Sequence, residues 1–171
     1  NDAQALILDL RNNGGGLLNS AVDVSSLFLD GGLVVGMKGR VSRANDELYA
    51  RSGQLTELPM VVLINEGSAS ASEIIAAALQ DYNRALIVGS NSTFGKGTVQ
   101  RFEELDRFVV GQNELKPLGE VKITTQKFYR INGGSTQLKG VTPDIILPDN
   151  FHFIDVGEKE YDYAMEWTEI D

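Results

Sequence analysis

The sequence predicts an α/β fold with largely parallel strand neighbours, finished by an antiparallel hairpin towards the C-terminus. Two observations carry this. Short apolar runs alternate with helical stretches from Ala5 to Gln100, the pattern of strand–helix–strand units. Beyond them, Glu120 to Ile131 is β-branched and aromatic, broadly alternating, and ends in the turn signal Asn132-Gly133-Gly134. A length of 171 residues suits one domain with a sizeable core. We divide it into a core over residues 1–150 and a C-terminal tail over residues 151–171. The chain has no initiator Met and no signal peptide, and is read as a piece of a longer protein.

Ala5-Leu6-Ile7-Leu8-Asp9-Leu10 is a nearly continuous apolar run, as expected of a strand buried on both faces. Asn12-Asn13-Gly14-Gly15-Gly16 breaks it. Consecutive glycines reach backbone conformations closed to other residues, so this stretch is either a flexible turn or a set of preorganised N–H donors for a developing oxyanion. Leu17, Ala21, Val24, Leu27 and Phe28 then fall at helical spacing, and Gly31-Gly32 stops the helix. Leu33 to Met37 reads as the next strand. Gly39 to Glu57 is polar and mixed in charge, an exposed hairpin or loop. Met60 to Ile64 is another buried strand, leading into Asn65-Glu66-Gly67.

The chemistry collects between Gly67 and Gln100. Ser68, Ser70 and Ser72 alternate into a helix from Ala71 to about Gln80, whose Ala76-Ala77-Ala78 allows close packing. Asp81 stands at its C-terminal end, where a carboxylate opposes the helix dipole and calls for a partner. A strand, Ala85 to Val88, leads to Phe94-Gly95-Lys96-Gly97. A serine hydroxyl needs an adjacent base to become a nucleophile. The single histidine, His152, lies in the polar tail far along the chain. Lysine can serve if burial lowers its pKa from about 10.4 towards roughly 7–8. Lys96 has Phe94, glycines and Val99 around it and no acidic residue beside it. Plainer readings stand alongside. Ser70-Ala71-Ser72-Glu73 fits a capping box, in which Ser70 merely caps the helix, and Gly-Lys-Gly fits a surface turn. A phosphate loop is excluded, because five residues separate Gly89 from Gly95 and Lys96 is followed by Gly97.

Arg101 to Leu118 is charged and irregular. Thr142-Pro143-Asp144 marks a turn before Ile145-Ile146-Leu147, and the tail from Asp149 is acidic and aromatic, with the single tryptophan Trp167. A net charge of −9 argues against nucleic acid, whose phosphates call for a basic face. No apolar run approaches membrane-spanning length. The absence of Cys excludes disulfides, thiol catalysis and cysteine–zinc sites.

Three blocks, in this order, carry a resemblance: LILDLRNNGGG from Leu6, NEGSASASEIIAAALQDYNRALIVGSNSTFGKGTVQ from Asn65, and KFYRINGGSTQLKGVTPDIILPD from Lys127. Together they resemble the tail-specific, or C-terminal processing, serine peptidases, and the third resembles their bacterial tail-specific branch. The resemblance implies a crotonase-like (ββα) catalytic core and a Ser–Lys endopeptidase that acts on polypeptides near their C-termini, without metal or cofactor. It places the nucleophile on Ser70, the general base on Lys96, and a residue orienting that base on Gln100. It places one oxyanion donor on the backbone of Gly16 or its neighbour Gly15. The amide of Ala71, next to the nucleophile at a helix N-terminus, suits the other. Asp81 matches an acid linked to activity in the family, and is read here as structural or orienting. Ser90-Asn91-Ser92 is one residue longer than the family's usual link, which makes the placement of Lys96 depend on that loop. The resemblance further implies a PDZ domain in the full-length protein, polypeptide substrates captured by their C-termini, and export to the bacterial envelope or periplasm. Competing readings are a non-catalytic peptide-binding or scaffold relative and a crotonase-like acyl-CoA enzyme.

Overall fold

In the computed structural model, residues 2–111, 113–149 and 153–171 are described; His152 lies outside them. In chain order the elements are β1 (Leu6–Asp9), α1 (Leu18–Ser26), β2 (Leu33–Gly39), β3 (Asp46–Tyr49), β4 (Met60–Ile64), α2 (Ala71–Asp81), β5 (Leu86–Gly89), β6 (Thr98–Glu104), β7 (Glu120–Tyr129) and β8 (Ile145–Ile146). They form two four-stranded sheets. One is parallel, in the order β1-β4-β5-β8, and the other antiparallel, in the order β3-β2-β7-β6.

Parallel neighbours need a crossover, and α2 is the crossover between β4 and β5. This helix packs on β5, on β2 of the second sheet and on α1. Every residue from Ala71 to Leu79 is buried. The run of small side chains, Ala76 to Ala78, lets its backbone approach its neighbours closely. Val62, Ile64 and Ile87 of the parallel sheet, Val34 and Val35 of β2, Leu79 of α2 and Val141 are among the most deeply buried residues of the core.

The structure differs from the sequence reading in several places. β1 is not buried on both faces. It is an edge strand with an alternating pattern: Leu6 and Leu8 pack on the core, and Ile7 is 71 % exposed on the other face. The loop or hairpin expected after Gly39 is a hairpin, in which Met37 of β2 faces Asp46 of β3. The stretch after Arg101 is regular as far as Glu104, because β6 continues and sets Arg101 opposite Ile123 and Glu104 opposite Glu120. Pairing across a solvated ribbon makes this strand, and burial does not, so its charged residues concealed it. The C-terminal hairpin is therefore β6–β7, joined through residues 105–119. The turn at Asn132-Gly133-Gly134 instead folds the chain back through a bridge between Tyr129 and Ser135.

The tail returns to that same region. Gly134 bridges to Glu169, the Ile170 N–H donates to Gly133 O at 2.9 Å, and Trp167 Nε1 donates to Ser135 O at 2.7 Å. Lys139 Nζ stands 3.3 Å above the Trp167 ring, a cation–π contact. Among the described residues no helix is long and apolar enough to cross a membrane.

Candidate active site

The turn from β4 into α2 is built from side chains that pair with the glycine-rich loop after β1. Ser68 is fully buried; its Oγ accepts the Asn65 N–H at 3.0 Å and donates to Leu10 O at 2.7 Å. Asn65 Oδ1 accepts the Asn12 N–H at 2.8 Å, Asn65 Nδ2 donates to Asn12 Oδ1 at 3.0 Å, and the Ala69 N–H donates to Asn13 O at 3.0 Å. The two loops are thus tied together by side-chain and backbone hydrogen bonds.

At the top of this turn Ser70 has φ 57° and ψ −114°. A helix cap normally sits in the extended region. A non-glycine residue at positive φ is held there by its surroundings, and such strain clusters at functional sites. A sharp strand-to-helix turn of this kind thrusts a serine hydroxyl out of the chain ahead of the helix N-terminus.

What holds Ser70 is Glu73. Its side chain is fully buried, and it accepts hydrogen bonds from the Ser70 N–H (2.6 Å), the Lys96 N–H (3.0 Å), the Gly95 N–H (2.7 Å) and the Thr93 hydroxyl (2.6 Å). Thr93 Oγ1 itself accepts the Val141 N–H at 2.7 Å, so its proton is committed to Glu73. Burial pushes the Glu73 carboxyl up to about 7, against four hydrogen bonds that favour the carboxylate. The capping box on the sequence is therefore half of a larger device. One carboxylate ties the turn carrying Ser70 to the loop carrying Lys96.

Ser70 and Lys96 line a single cavity of about 270 Å³ together with Gly16, Ala71 and Gln100. Leu18, Ile74, Val99 and Phe128 form its apolar wall. The structure brings the serine and the lysine to this cavity without a hydrogen bond between their side chains. Gln100, expected to orient Lys96, lines the cavity and has its Nε2 3.5 Å from Thr124 Oγ1. The Gly15 N–H is taken by Asn13 Oδ1 at 3.0 Å, so Gly16, which faces the cavity, is the better placed of the two glycines to donate. Gly15 serves sterically. At φ +92°, a Cβ there would stand 2.6 Å from Ala69 O and 2.8 Å from the Ala71 nitrogen. Ala71 is the first residue of α2, and its N–H has no carbonyl one turn back to bond.

Asp81 lies away from this cavity. The eleven residues of α2 put it roughly 16 Å along the helix from Ser70. Its carboxylate receives Arg130 in bidentate fashion, at 2.6 Å and 3.1 Å, with both side chains largely buried. Arg130 also reaches Gln80 Oε1 at 2.9 Å. Among the described residues no group of three or more His, Cys, Asp and Glu converges on a metal position.

Glu73 is the residue whose wider role the sequence reading missed. The available signal was its setting, a lone acid inside the otherwise apolar or small-residue run from Ala71 to Leu79. Thr93 and Gln137, whose carbonyl Oε1 accepts the Gly97 N–H at 2.9 Å, carried no comparable signal.

The chain as a whole is similar to known peptidases. The profile of "Peptidase family S41" matches residues 1–147. The chain is 48 % identical over 168 residues to the tail-specific protease of Haemophilus influenzae, covering 98 % of this chain and 24 % of that protein. It is 45 % identical over 161 residues to the carboxy-terminal-processing protease of Bartonella bacilliformis, covering 90 % of this chain and 35 % of the relative. Among solved structures it matches a photosystem II D1 C-terminal processing protease with a TM-score of 0.72 at 35 % identity, over 85 % of this chain and 35 % of the other. The chain thus spans about a quarter to a third of these relatives, and its α/β fold is that of the C-terminal processing peptidases.

Proposed function

This chain belongs to peptidase family S41, the tail-specific and C-terminal processing serine proteases, and from that membership we propose that it carries a Ser70–Lys96 dyad cleaving polypeptides near their C-termini. The observation that carries the reading is the strained Ser70 at the head of α2, sharing one cavity with Lys96 and Gly16.

In this mechanism Ser70 Oγ attacks the scissile carbonyl carbon while neutral Lys96 Nζ takes the hydroxyl proton. The carbonyl oxygen becomes an oxyanion facing the N–H groups of Ala71 and Gly16, donors fixed before the reaction begins. The Lys96 ammonium returns the proton to the leaving amine as the C–N bond breaks, leaving an acyl ester on Ser70. A water then attacks the ester, with Lys96 again accepting a proton. Gln100 keeps the Lys96 side chain directed at Ser70, and no metal or cofactor takes part. In the whole protein a PDZ domain holds the substrate's C-terminus, in the bacterial envelope.

The test is labelling of the full-length protein with a fluorophosphonate, alongside hydrolysis of a C-terminally tagged polypeptide. Label on Ser70, with both reactions abolished in Lys96→Ala and equally in Lys96→Arg, is the expected outcome, since arginine keeps the charge but does not deprotonate. Substantial turnover by Lys96→Arg would remove lysine as the base. An unlabelled protein would favour a scaffold, and turnover of acyl-CoA thioesters in place of peptides would move the activity to a different class.

A further inference from the structure

The loop carrying Lys96 is held from both sides, and the second side has no part in the mechanism above. Glu73 takes the N–H groups of Gly95 and Lys96; the next N–H, that of Gly97, donates to Gln137 Oε1 at 2.9 Å. Gln137 is fully buried. Its Nε2 donates to Met165 O at 3.0 Å and to Glu158 Oε1 at 3.3 Å, both in the C-terminal tail. The tail reaches the same loop directly through the Glu158 N–H, which donates to Phe94 O at 2.9 Å, and through the Phe94–Tyr161 ring contact. Close approach is built in as well. A Cβ at Gly97 would stand 2.5 Å from the Gln137 nitrogen and 2.6 Å from Ser135 Oγ. Residues 148–171 lie beyond the stretch that the family profile matches.

We propose that Gln137 is a positioning residue for Lys96, and that tail residues 157–168 act through it to hold the lysine loop in register with Ser70. The amide group suits this work because it faces two ways. Its oxygen satisfies a buried N–H of the lysine loop, and its nitrogen is oriented by two acceptors on the tail. A tail that detaches frees the amide to turn, and the Gly97 N–H loses its partner. The inference rests on Lys96 being the base.

The test uses the full-length enzyme. Gln137→Met keeps the length and bulk of the side chain but removes its amide. We expect kcat to fall about 10- to 100-fold with KM within about twofold, as for a displaced catalytic group. Fluorophosphonate should still label the variant to full stoichiometry, only more slowly. A purely structural role would instead lower the fraction of protein that labels and leave the rate of that fraction intact, and this result would overturn the inference. Hydrogen exchange on the wild type covers the case in which Gln137→Met does not fold. The amides of Gly97, Glu158 and Ile170 should share one opening free energy. Tail amides that exchange freely while Gly97 remains fully protected would overturn it too. Loss of the Lys96 requirement itself would bring down the dyad and this inference with it, whereas a strict Lys96 requirement with an undiminished Gln137→Met would sink the inference alone.

Discussion

Ser70 and Lys96 hang from one atom: Oε2 of Glu73 accepts the Ser70 N–H at 2.6 Å and the Lys96 N–H at 3.0 Å. The two loops are therefore joined through a buried carboxylate that the proposed mechanism leaves outside the reaction.

Glu73→Gln should show this. An amide of the same size has one oxygen and one NH2, so whichever way it turns it opposes two donors, either Ser70 and Lys96 or Thr93 and Gly95. We expect kcat to drop by about 10- to 100-fold with KM little changed. Steady-state kinetics on a tagged peptide, with circular dichroism to verify folding, decide the matter; a fully active Glu73→Gln would detach this carboxylate from the alignment of the dyad.

The same group fixes a pH signature. Burial holds the Glu73 carboxyl at about 7 against an ordinary 4.5, so the folded chain keeps a proton that the unfolded chain releases between those values. Folding takes up this proton, and its stabilising contribution is whole below pH 4.5 and lost as pH rises through 7. Activity should run the other way, because the protonated carboxyl gives up an acceptor site needed by one of its four donors. Urea midpoints between pH 4 and 8 should contain this falling component in the wild type and lack it in Glu73→Gln. An identical slope in both would assign the proton elsewhere.

The serines should separate by kind of damage. Ser70→Ala is expected to abolish turnover and leave the melting temperature nearly unchanged. Ser68→Ala should cost about 1–3 kcal/mol of stability, since it strands the part-buried Asn65 N–H and leaves Leu10 O with the Asn13 N–H at 3.2 Å in place of the shorter bond from Ser68 Oγ. Thermal melts beside activity assays distinguish the two, and a dead Ser68→Ala of normal stability would move the nucleophile.

Gly15→Ala should be severely impaired although Gly15 holds no proton and binds no substrate in the mechanism. The new methyl would press on Ala69 O and the Ala71 nitrogen from a backbone at φ +92°. We expect at least a 100-fold loss of kcat/KM from displacement of the oxyanion donors. Near-normal kinetics would mean that this loop lies outside the oxyanion site.

Much of the fold was legible because burial wrote it. Met60 to Ile64 and Ala85 to Val88 are apolar runs, and α2 announced itself by its alanines and its Ser70–Glu73 spacing. What escaped is what pairing writes. The strand from Arg101 to Glu104 has charged residues facing water, and only its register with Ile123 to Glu120 makes it a strand. The site divided in the same way. Local spacing offered three alternating serines and Lys96, and the family resemblance singled out Ser70 and added Gln100, whereas the ties from Glu73 to Lys96 and from Gln137 to Gly97 join residues 23 and 40 positions apart, a relation with no local pattern.

The Asp81–Arg130 pair gives α2 a second point of attachment. A helix tied near Ser70 by Glu73 and at its far end by Arg130 is braced at both ends against rolling or sliding. Release of the distal clamp would leave every reacting group chemically intact and swing the near end, so the fault would be one of aim. On the proposed mechanism, an acid roughly 16 Å from Ser70 would thus govern turnover with no proton of its own to give, as a mounting bolt governs a lens.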